Sequence, residues 1–585
     1  MRTVLHLILF ALCPALFAAR PNIILIYTDD HGHADLGIHG VVNDIKTPHL
    51  DALARSGVVA THGYSTAPQC VPSRGGVMTG RFQGRFDLDN NGSALDGFNK
   101  ETTIATRLQN AGYATAQFGK WHLGPTEAIT QHGFKHVFSQ NAQRPFSANI
   151  TLDGQDRPMS DLPPTEYHLE GCSKAAASII ERYRDQPFFL YVAYRAPHTP
   201  LDAPKRYMDR FPGEMPERRR AALAMLSAID DGVGLITSTL KKHNLTEKTL
   251  IFLIGDNGAP LKIHKVDSPL NGDPGGWDGS LNTPLNGEKG MLSEGGMSTP
   301  FLIAWPGTIP SGQIYEHPVT ALDFAATASA VASIVDQSAF DGINLLPHLT
   351  GENKEPPHDA LFWRWMAQSA VREGNWKLLR GGEREYLYDL STDREEKHNL
   401  AAQHPEIATR LRSKLKTWAD TLNPPGMALG PMAPTWNDYF DHYLEGKTIA
   451  PRAEAPTTTA SETKGWEARN GKLTAKDGLL ILTPDKADKP TFITKSKLKL
   501  AGPVTAQITL KTTATGQGAI AWRLNDDKDF FPANRLTFPL QATSDWQTHT
   551  LQIPTTGRVI HVRVHLPAGG AEFRTLNLIS TSRSK

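Results

Sequence analysis

The sequence predicts an α/β fold in which a mixed β-sheet is sandwiched by helices, followed by a smaller α+β subdomain and an all-β sandwich. Three observations support this prediction. Apolar runs alternate with amphipathic stretches over residues 20–345, short strands precede a helix within 346–446, and apolar and polar residues alternate over 465–585. A chain of 585 residues is long enough for several domains.

The elements of the first domain follow from apolar spacing. Residues 22–27, 188–193 and 249–254 form apolar runs typical of strands buried on both faces. Helical spacing is found over residues 48–56, 103–110, 173–184 and 217 to about 240. Strand–helix alternation favours a parallel or mixed sheet with helices on both faces, where functional groups collect beyond the carboxyl ends of the strands.

The second half of the chain changes character twice. Residues 370–378 and 386–390 predict short antiparallel strands, and a helix is expected from 405 to about 422. Residues 447–464, rich in Thr, Ala, Pro and Glu, predict a linker. We interpret residues 465–585 as a β-sandwich. Its three tryptophans suit core packing better than sugar stacking, although both uses are open: Trp466, Trp522 and Trp546.

Composition limits the partners. Lys and Arg number 61 and Asp and Glu 60, so the net charge of +1 gives no electrostatic basis for binding nucleic acid or an anionic membrane. Residues 1–19 have the order of a secretory signal peptide: Arg2, an apolar stretch, Pro14 and small residues before Arg20. The stretch is too short for a stable membrane span. We therefore expect a secreted or periplasmic protein, with an uncleaved anchor as the alternative.

Cysteine usage is sparse. Of three cysteines, Cys13 lies in the predicted signal peptide, which leaves Cys70 and Cys172. An exported chain of this size with two cysteines is not a disulfide scaffold. A disulfide between Cys70 and Cys172 remains the alternative to a reactive Cys70.

Cys70 opens the run Cys-Val-Pro-Ser-Arg-Gly-Gly-Val-Met-Thr-Gly-Arg over residues 70–81. Pro72 favours the first turn of a helix, and free amides from Ser73 onward are expected to point toward residue 70, where an anion could bind. Arg74, one turn into that helix, could hydrogen-bond an oxyanion. The alternative is a small buried cysteine beside a proline that begins a helix.

Two residue pairs follow apolar runs, and we call them the acidic pairs although the second contains one carboxylate and one amide: Asp29-Asp30 and Asp256-Asn257. Adjacent carboxylates repel each other, so a pair at a strand end favours a bound cation. Three carboxylates and one amide oxygen suit Ca²⁺ or Mg²⁺ better than zinc. Either pair alone could simply cap a turn. Two such pairs on strands of one sheet favour the metal.

Four further residues complete the pattern. Lys120 and His122 lie in Gly-Lys-Trp-His, His198 lies in Arg-Ala-Pro-His, and Lys289 precedes Gly-Met-Leu-Ser-Glu-Gly-Gly. Each alone is more typical of a surface cation or a hydrogen-bonded core histidine than of a catalyst. Their order along the chain, together with the motifs above, is what indicates a functional role.

That order resembles the type I, formylglycine-dependent sulfatases, an arylsulfatase-like family of the alkaline phosphatase superfamily, over about residues 21–420. The resemblance implies an alkaline-phosphatase-like α/β fold and a maturation enzyme that converts Cys70 to formylglycine (3-oxoalanine). It implies one Ca²⁺ per chain, with ligands from the modified Cys70, Asp29, Asp30, Asp256 and Asn257. The catalytic set that it implies is Cys70, Arg74, Lys120, His122, His198 and Lys289.

The resemblance also implies roles. The hydrated aldehyde at residue 70 attacks sulfur, while the cation, Lys120 and Lys289 neutralise the sulfate oxygens. His198 protonates the departing alcohol, and His122 takes a proton at residue 70 so that sulfate leaves and the aldehyde is restored.

A long segment between Asn257 and Lys289, rich in Gly and Pro, predicts a substrate loop, because loops this long are usually functional; a solvated insertion is the alternative. Candidate substrate-binding residues are Arg195, His264, Asp267, Trp277 and Asp278. By resemblance to exported sulfatases with an added β-domain, the expected substrate is a sulfated carbohydrate. The alternatives are a formylglycine-dependent phosphonate or phosphate monoester hydrolase and an inactive glycan-binding homologue.

Overall fold

The computed structural model describes residues 20–580 except 140–143, 148–149, 153–154, 158–166, 200, 262–276, 337–339, 428–431, 450–464, 477–478, 487–489, 526, 528 and 556. The chain divides into two units between residues 450 and 451, inside the predicted linker. The predicted signal peptide and most of that linker lie outside the described residues, and the exact domain boundaries stay predictions.

A nine-stranded mixed sheet forms the centre of the first unit. The order across the sheet is Gln313–Tyr315, Val58–Ala60, Phe301–Ala304, Thr249–Gly255, Asn22–Asp29, Phe188–Pro197, Ala114–Gly119, His136–Ser139 and Arg144–Ser147. The five strands from Thr249–Gly255 to His136–Ser139 are parallel, and antiparallel pairs flank them. The predicted mixed sheet is confirmed, with the three predicted strands side by side at its centre.

Helices cover both faces of this sheet, as predicted. Residues of the first strand alternate between two hydrophobic clusters: Ile24 and Ile26 face one, and Ile23 and Leu25 face the other. This double burial explains why the strand is apolar at every position. The first cluster includes helices Pro48–Arg55, His168–Arg182 and Glu217–Lys242; the second includes Cys70–Thr79, Ile104–Asn110 and Asp323–Val331.

Short elements complete the connections of this unit. Two-stranded sheets pair Gly63–Tyr64 with Val319–Thr320 and Ile150–Leu152 with Gln155–Arg157. The remaining α-helices are Lys205–Met208, Glu294–Met297, Leu346–Leu349, Pro405–Ala419 and Pro434–Tyr443. The 3₁₀ helices are Gly37–His39, Gln83–Phe86, Phe98–Lys100, Thr126–His132 and Thr246–Lys248.

A four-stranded antiparallel sheet follows the nine-stranded one. Its strands are Leu361–Trp365, Gln368–Glu373, Trp376–Gly381 and Arg384–Asp389. Helix Pro405–Ala419 packs on it through Leu411 and Leu415. The predicted run 370–378 is two strands, because Gly374 adopts a φ of +57° and turns the chain. Helix Pro434–Tyr443 was not predicted.

A buried ionic triad connects this sheet to helix Glu294–Met297. Lys377 Nζ lies 2.9 Å from Glu294 Oε1 and 2.9 Å from Glu396 Oε1. All three side chains are buried. Burial opposes ionisation of Glu294, yet Lys377 and the nearby arginines hold its pKa below the ordinary value. Burial and Glu294 raise the pKa of Glu396.

Replacing Lys377 with methionine is expected to lower the free energy of unfolding by about 3–5 kcal/mol, because two carboxylates lose their buried counterion. The loss should shrink below neutral pH, since the unpaired carboxyls then have raised folded-state pKa values and protonate. Urea unfolding at pH 8 and pH 5 measures both effects. Lys416→Met, which removes an exposed lysine, is the control and should cost under about 0.5 kcal/mol. Equal losses in the two variants would contradict this account.

The second unit is a β-sandwich, as predicted. One sheet runs Trp466–Arg469, Pro490–Lys495, Arg558–Ala568, Gly516–Leu524 and Arg535–Leu540, with Leu500–Ala501 also paired to Arg558–Ala568. The other runs Gly471–Lys476, Leu479–Pro484, Ala571–Ser580, Val504–Thr512 and Thr543–Ile553. Both sheets contribute to one core, which contains Trp466 and Trp522. Trp546 is half-buried outside that core, beside Lys511 and Arg574.

Within the described residues one helix, Glu217–Lys242, has the length and mean hydropathy of a membrane span. It belongs to the core of the first unit, where 72% of its apolar window is buried.

Candidate active site

Both acidic pairs lie at the same edge of the nine-stranded sheet. Thr28 is in register with Gly255, so the residues that follow each strand meet. The Asp30 amide donates to Asp256 Oδ1 at 3.0 Å, and Asn257 Nδ2 donates to Asp30 Oδ1 at 2.6 Å. Parallel strand ends thus bring together four side chains from distant stretches of the chain, as the sequence predicted.

Cys70 is the first residue of helix Cys70–Thr79 and lies at this cluster. Its Sγ is 3.4 Å from Asp29 Oδ1 and 3.2 Å from Lys289 Nζ. Residue 70 is fully buried, and its sulfur contacts two charged groups. Burial raises the pKa of the thiol to about 12, so the unmodified sulfur is a weak nucleophile at neutral pH.

One prediction about this helix is wrong. The amides from Ser73 onward are not free, because the helix begins at Cys70 and the Ser73 amide donates to the Gln69 carbonyl. The Val71 amide donates to Asn91 Oδ1 at 3.0 Å. Cys70 and Cys172 are both free and buried, so the disulfide alternative is excluded.

Each carboxylate of the cluster has a cationic partner. Lys120 Nζ is 2.5 Å from Asp29 Oδ2, and Lys289 Nζ is 2.7 Å from Asp30 Oδ1. Burial opposes the ionisation of Asp29 and Asp30, but these cations hold the pKa of each below its ordinary value. Local pairing of this kind is how a chain of near-zero net charge can bind an anion.

Arg74 forms an ion pair with the third carboxylate, that of Asp256. Its Nη2 donates to Asp256 Oδ2 at 2.8 Å, and its Nη1 donates to the Lys120 carbonyl at 3.0 Å and lies 3.3 Å from the Tyr191 hydroxyl. Its side chain is fully buried. Burial and the neighbouring Asp29 raise the pKa of Asp256.

The backbone fixes where the two lysines emerge. Lys120 follows strand Ala114–Gly119, whose last residue has a φ of +84° and no room for a Cβ against the Ala193 carbonyl. The Lys289 amide donates to the Ala259 carbonyl at 3.2 Å. Backbone contacts therefore fix the point from which each lysine side chain leaves the chain.

The two predicted histidines differ in their setting. His198 Nε2 is 3.6 Å from Asp30 Oδ2, and Nδ1 contacts the Thr199 carbonyl, an acceptor. Nδ1 must therefore carry a proton, which leaves Nε2 as the atom that gains or loses one. His122 is exposed at a φ of +62°. Partial desolvation and the cations Lys120 and Arg74 lower its pKa to about 3, so it is neutral at pH 7.

The donor set suits a hard divalent cation. Asn257 Oδ1 is buried and has no hydrogen-bond partner among the described residues. A buried carbonyl oxygen without a donor beside three carboxylates is the ligand chemistry that Ca²⁺ prefers. Ligand atoms of Asp29, Asp30, Cys70 and His198 lie within 4.8 Å of one another. The residues therefore fit the predicted cation.

The predicted substrate-binding residues have mixed positions. Asp278 is buried, and its Oδ2 accepts from Thr199 Oγ1 at 3.4 Å, one residue from His198. Trp277 is half-buried and donates through Nε1 to the Ser280 carbonyl at 2.6 Å. His264 and Asp267 lie outside the described residues.

Arg195 is already paired within the protein. Its guanidinium contacts Asp202, and its Nε is 2.9 Å from His168 Nε2. To bind an anionic group of the substrate, Arg195 would have to release Asp202 and His168. Its role in substrate binding stays a prediction.

Sequence reasoning missed the supporting residues. Tyr191, whose hydroxyl meets Arg74, appears in the sequence only as one aromatic residue of a buried strand. Asp35 is a second case: it binds Arg219 Nη1 at 2.8 Å and accepts from Ser280 Oγ at 2.6 Å. Ser280 in turn accepts the Gly32 amide just after the acidic pair. Nothing in the local sequence marks these long-range contacts.

The fold and the cluster define a class of hydrolase that acts on anionic esters: paired carboxylates for a cation, three further cations, and a histidine beside them. Comparison with known proteins identifies the family. Residues 21–334 match the family model described as Sulfatase, and residues 287–421 match that of N-sulphoglucosamine sulphohydrolase, C-terminal.

Individual relatives agree. The chain is 28% identical to "Uncharacterized sulfatase YdeN" of Escherichia coli K12, covering 69% of this chain and 86% of that protein. It is 30% identical to human N-acetylgalactosamine-6-sulfatase, covering 62% and 74%. The crystal structure of Ps i-CgsB in complex with k-i-k-neocarrahexaose superposes with a TM-score of 0.60 at 30% identity, covering 72% of this chain and 97% of that one.

The chain belongs to the sulfatase family of the alkaline phosphatase superfamily. It is a sulfuric ester hydrolase. The predicted family and enzyme class are confirmed.

Proposed function

We propose that this protein is an exported sulfatase that removes sulfate esters from a sulfated glycan, using a formylglycine made from Cys70 and one bound Ca²⁺. The observation that carries the proposal is the convergence of Cys70, Lys289 and the two acidic pairs at one sheet edge. The glycan is supported by relatives at 30% identity, of which one is named for a sugar sulfate and one was solved with a neocarrahexaose. Export is supported by the signal-peptide pattern of residues 1–19.

The formylglycine at residue 70 and the bound Ca²⁺ would together supply the nucleophile. When present, a hydrated aldehyde at residue 70 would supply a hydroxyl as nucleophile, and Ca²⁺ would supply the positive charge that lowers the proton affinity of that hydroxyl. Asp29, Asp30, Asp256 and Asn257 would hold the cation, with residue 70 as a further ligand.

Three cationic side chains would neutralise the negative charge of the sulfate group. Lys120 and Lys289 now contact carboxylates, and with the cation in place their ammonium groups would be free to neutralise sulfate oxygens. Arg74, held rigidly between Asp256 and the Lys120 carbonyl, keeps its positive charge next to residue 70.

Two histidines move protons. His198, whose Nε2 lies 3.6 Å from Asp30 Oδ2, donates a proton to the oxygen of the departing alcohol. His122, neutral at pH 7, accepts a proton at residue 70 so that sulfate can leave. An ordinary serine at this position could not release its sulfate by that route.

The test is a sulfate-release screen over defined sulfated mono- and oligosaccharides, with protein co-produced with a formylglycine-generating enzyme. Release is expected from a subset of sugars, and peptide mass spectrometry across residue 70 should show a species lighter than the thiol. Complete conversion without release from any sulfate ester would refute the proposal. Absent conversion together with glycan binding would favour the inactive homologue.

A second candidate function rests on the fold alone. The phosphonate monoester hydrolase of Agrobacterium radiobacter superposes with a TM-score of 0.51 at 21% identity. Hydrolysis of matched sulfate and phosphate esters by the mature protein separates the two activities. Faster turnover of the phosphate ester would favour this second function.

Removing the cation gives a direct prediction. Chelation should abolish activity and lower the unfolding temperature, because three buried carboxylates and the Asn257 carbonyl lose their common partner. At a Ca²⁺ concentration 100 times its Kd, the stabilisation should be about 2.7 kcal/mol. Thermal unfolding with and without Ca²⁺ measures it. Asn257→Ala should reduce the Ca²⁺-dependent shift, and a wild-type transition indifferent to Ca²⁺ would argue against the site.

A further inference from the structure

The small net charge conceals a separation of charge along the chain. Residues 465–585 contain 17 Lys and Arg and nine Asp and Glu, a net charge of +8. Residues 1–464 contain 44 and 51, a net charge of −7. A basic domain joined to an acidic one points to a polyanionic partner for the basic part.

Part of this charge lies on one face of the β-sandwich. On strand Arg558–Ala568, Val562 and Val564 enter the core, so the alternating residues His561, Arg563 and His565 point outward. We call the outward residues of this strand and its neighbours the cationic face, which consists of Arg523, Arg535, His561, Arg563 and His565.

Strand register aligns these residues across three strands. Arg563 pairs with Ala521, which pairs with Arg535. His565 likewise pairs with Ala519, which pairs with Thr537. Two small alanines therefore lie between longer side chains on either side. Arg563 and Arg535 therefore lie on either side of Ala521, two strand spacings or about 10 Å apart.

The charges on the face are crowded. Burial, Arg535 and Arg563 lower the pKa of His565 to about 4, and burial, Arg563 and Arg523 lower the pKa of His561. Glu467, on the strand at the edge of the sheet, acts on His561 in the opposite direction. Arg563 Nε is buried and has no hydrogen-bond partner among the described residues. Arg563, which lies near two other arginines and has an Nε donor that no described residue accepts, is therefore suited to bind an anion.

Aromatic rings hold the central arginine. The Arg563 guanidinium carbon lies 3.9 Å from the Phe530 ring centroid and 5.3 Å from that of Phe492. His561 and His565 each pack against one of the same rings. Phe531, beside Phe530, is 50% exposed. Rings beside fixed guanidinium groups suit a ligand that combines apolar C–H surfaces with anionic groups, as a sulfated sugar does.

We propose that the cationic face binds a segment of a sulfated polysaccharide, as a site distinct from that of sulfate hydrolysis. Guanidinium groups match the geometry of sulfate oxygens, and the positive charge of the domain complements a polymer with repeated negative charge. The proposal rests on the proposed function, because the same class of polymer would be the substrate. The face would hold the enzyme on its polymer between successive cleavages.

The test uses the full chain with unmodified Cys70, so that binding is measured without turnover. Titration with dextran sulfate and with unsulfated dextran of equal length gives the Kd for each. The test variant is Arg523→Ser/Arg535→Ser/Arg563→Ser. The matched control, Lys472→Ser/Lys476→Ser/Lys511→Ser, removes three charges from the other sheet. The test variant should bind dextran sulfate at least about tenfold more weakly, and the control within about twofold.

Several outcomes would overturn the proposal. These are equal losses in both triple variants, wild-type affinity in the test variant, equal binding of the two dextrans, or tighter binding of single-stranded DNA than of dextran sulfate. Arg535 is exposed, so Arg535→Ser alone tests the face if the triple variant does not fold.

The two proposals fail separately. Mature protein with the triple substitution should hydrolyse nitrophenyl sulfate at the wild-type rate. If the wild type binds the polymer but hydrolyses no sulfate ester, the proposed function is refuted and polysaccharide binding by the cationic face is retained. If it hydrolyses sulfate esters but does not bind dextran sulfate, only the binding proposal is refuted.

Discussion

Cys70→Ala is expected to lower kcat for sulfate release by about 10⁴-fold or more, because removing a nucleophile eliminates the group on which the other catalytic residues act. The variant should remain folded. Its thiol makes only weak contacts, to Asp29 and Lys289, and alanine fits the same space. Sulfate release and thermal unfolding, measured on wild type and variant produced with the maturation enzyme, give both quantities.

Cys172→Ala is the matched control, since Cys172 is the other buried cysteine of the described chain and lies within helix His168–Arg182, facing the core. It should lose a similar small amount of stability and keep its activity. Cys70→Ser should be as inactive as Cys70→Ala where no enzyme modifies serine. Wild-type turnover by Cys70→Ala would end the proposed mechanism.

The part of the site that could be predicted from the sequence consists of residues at the ends of strands. Asp29-Asp30 and Asp256-Asn257 follow apolar runs, and parallel strands in one sheet must bring such ends together. Lys120 also follows a strand of that sheet, although its spacing alone does not show it. The motif Cys-x-Pro-Ser-Arg predicted the helix, but not that the Ser73 amide would be bonded within it, to the Gln69 carbonyl.

What could not be predicted depends on contacts between distant segments. Lys377 lies in a strand pattern where a charged residue is expected to face solvent, yet it is buried between two glutamates. Tyr191 supports Arg74 from a strand that looks uniformly apolar. The alternation of apolar and polar residues predicted the sandwich, but only strand register shows that Arg535 shares a face with Arg563.

His198→Ala should separate substrates by their leaving group. A sugar alkoxide leaves poorly without a proton, so loss of the general acid should cost about 10²–10⁴ in kcat on sugar sulfates. Nitrophenolate leaves without one, so the loss on nitrophenyl sulfate should stay within about tenfold. The comparison uses the same enzyme preparation, which cancels differences in Cys70 conversion. His398→Ala, whose side chain is 76% exposed, is the control and should leave both activities unchanged. Equal losses on the two substrates would instead indicate that His198 is a ligand of the cation. Its Nε2 lies 3.6 Å from Asp30 Oδ2, among the candidate metal ligands.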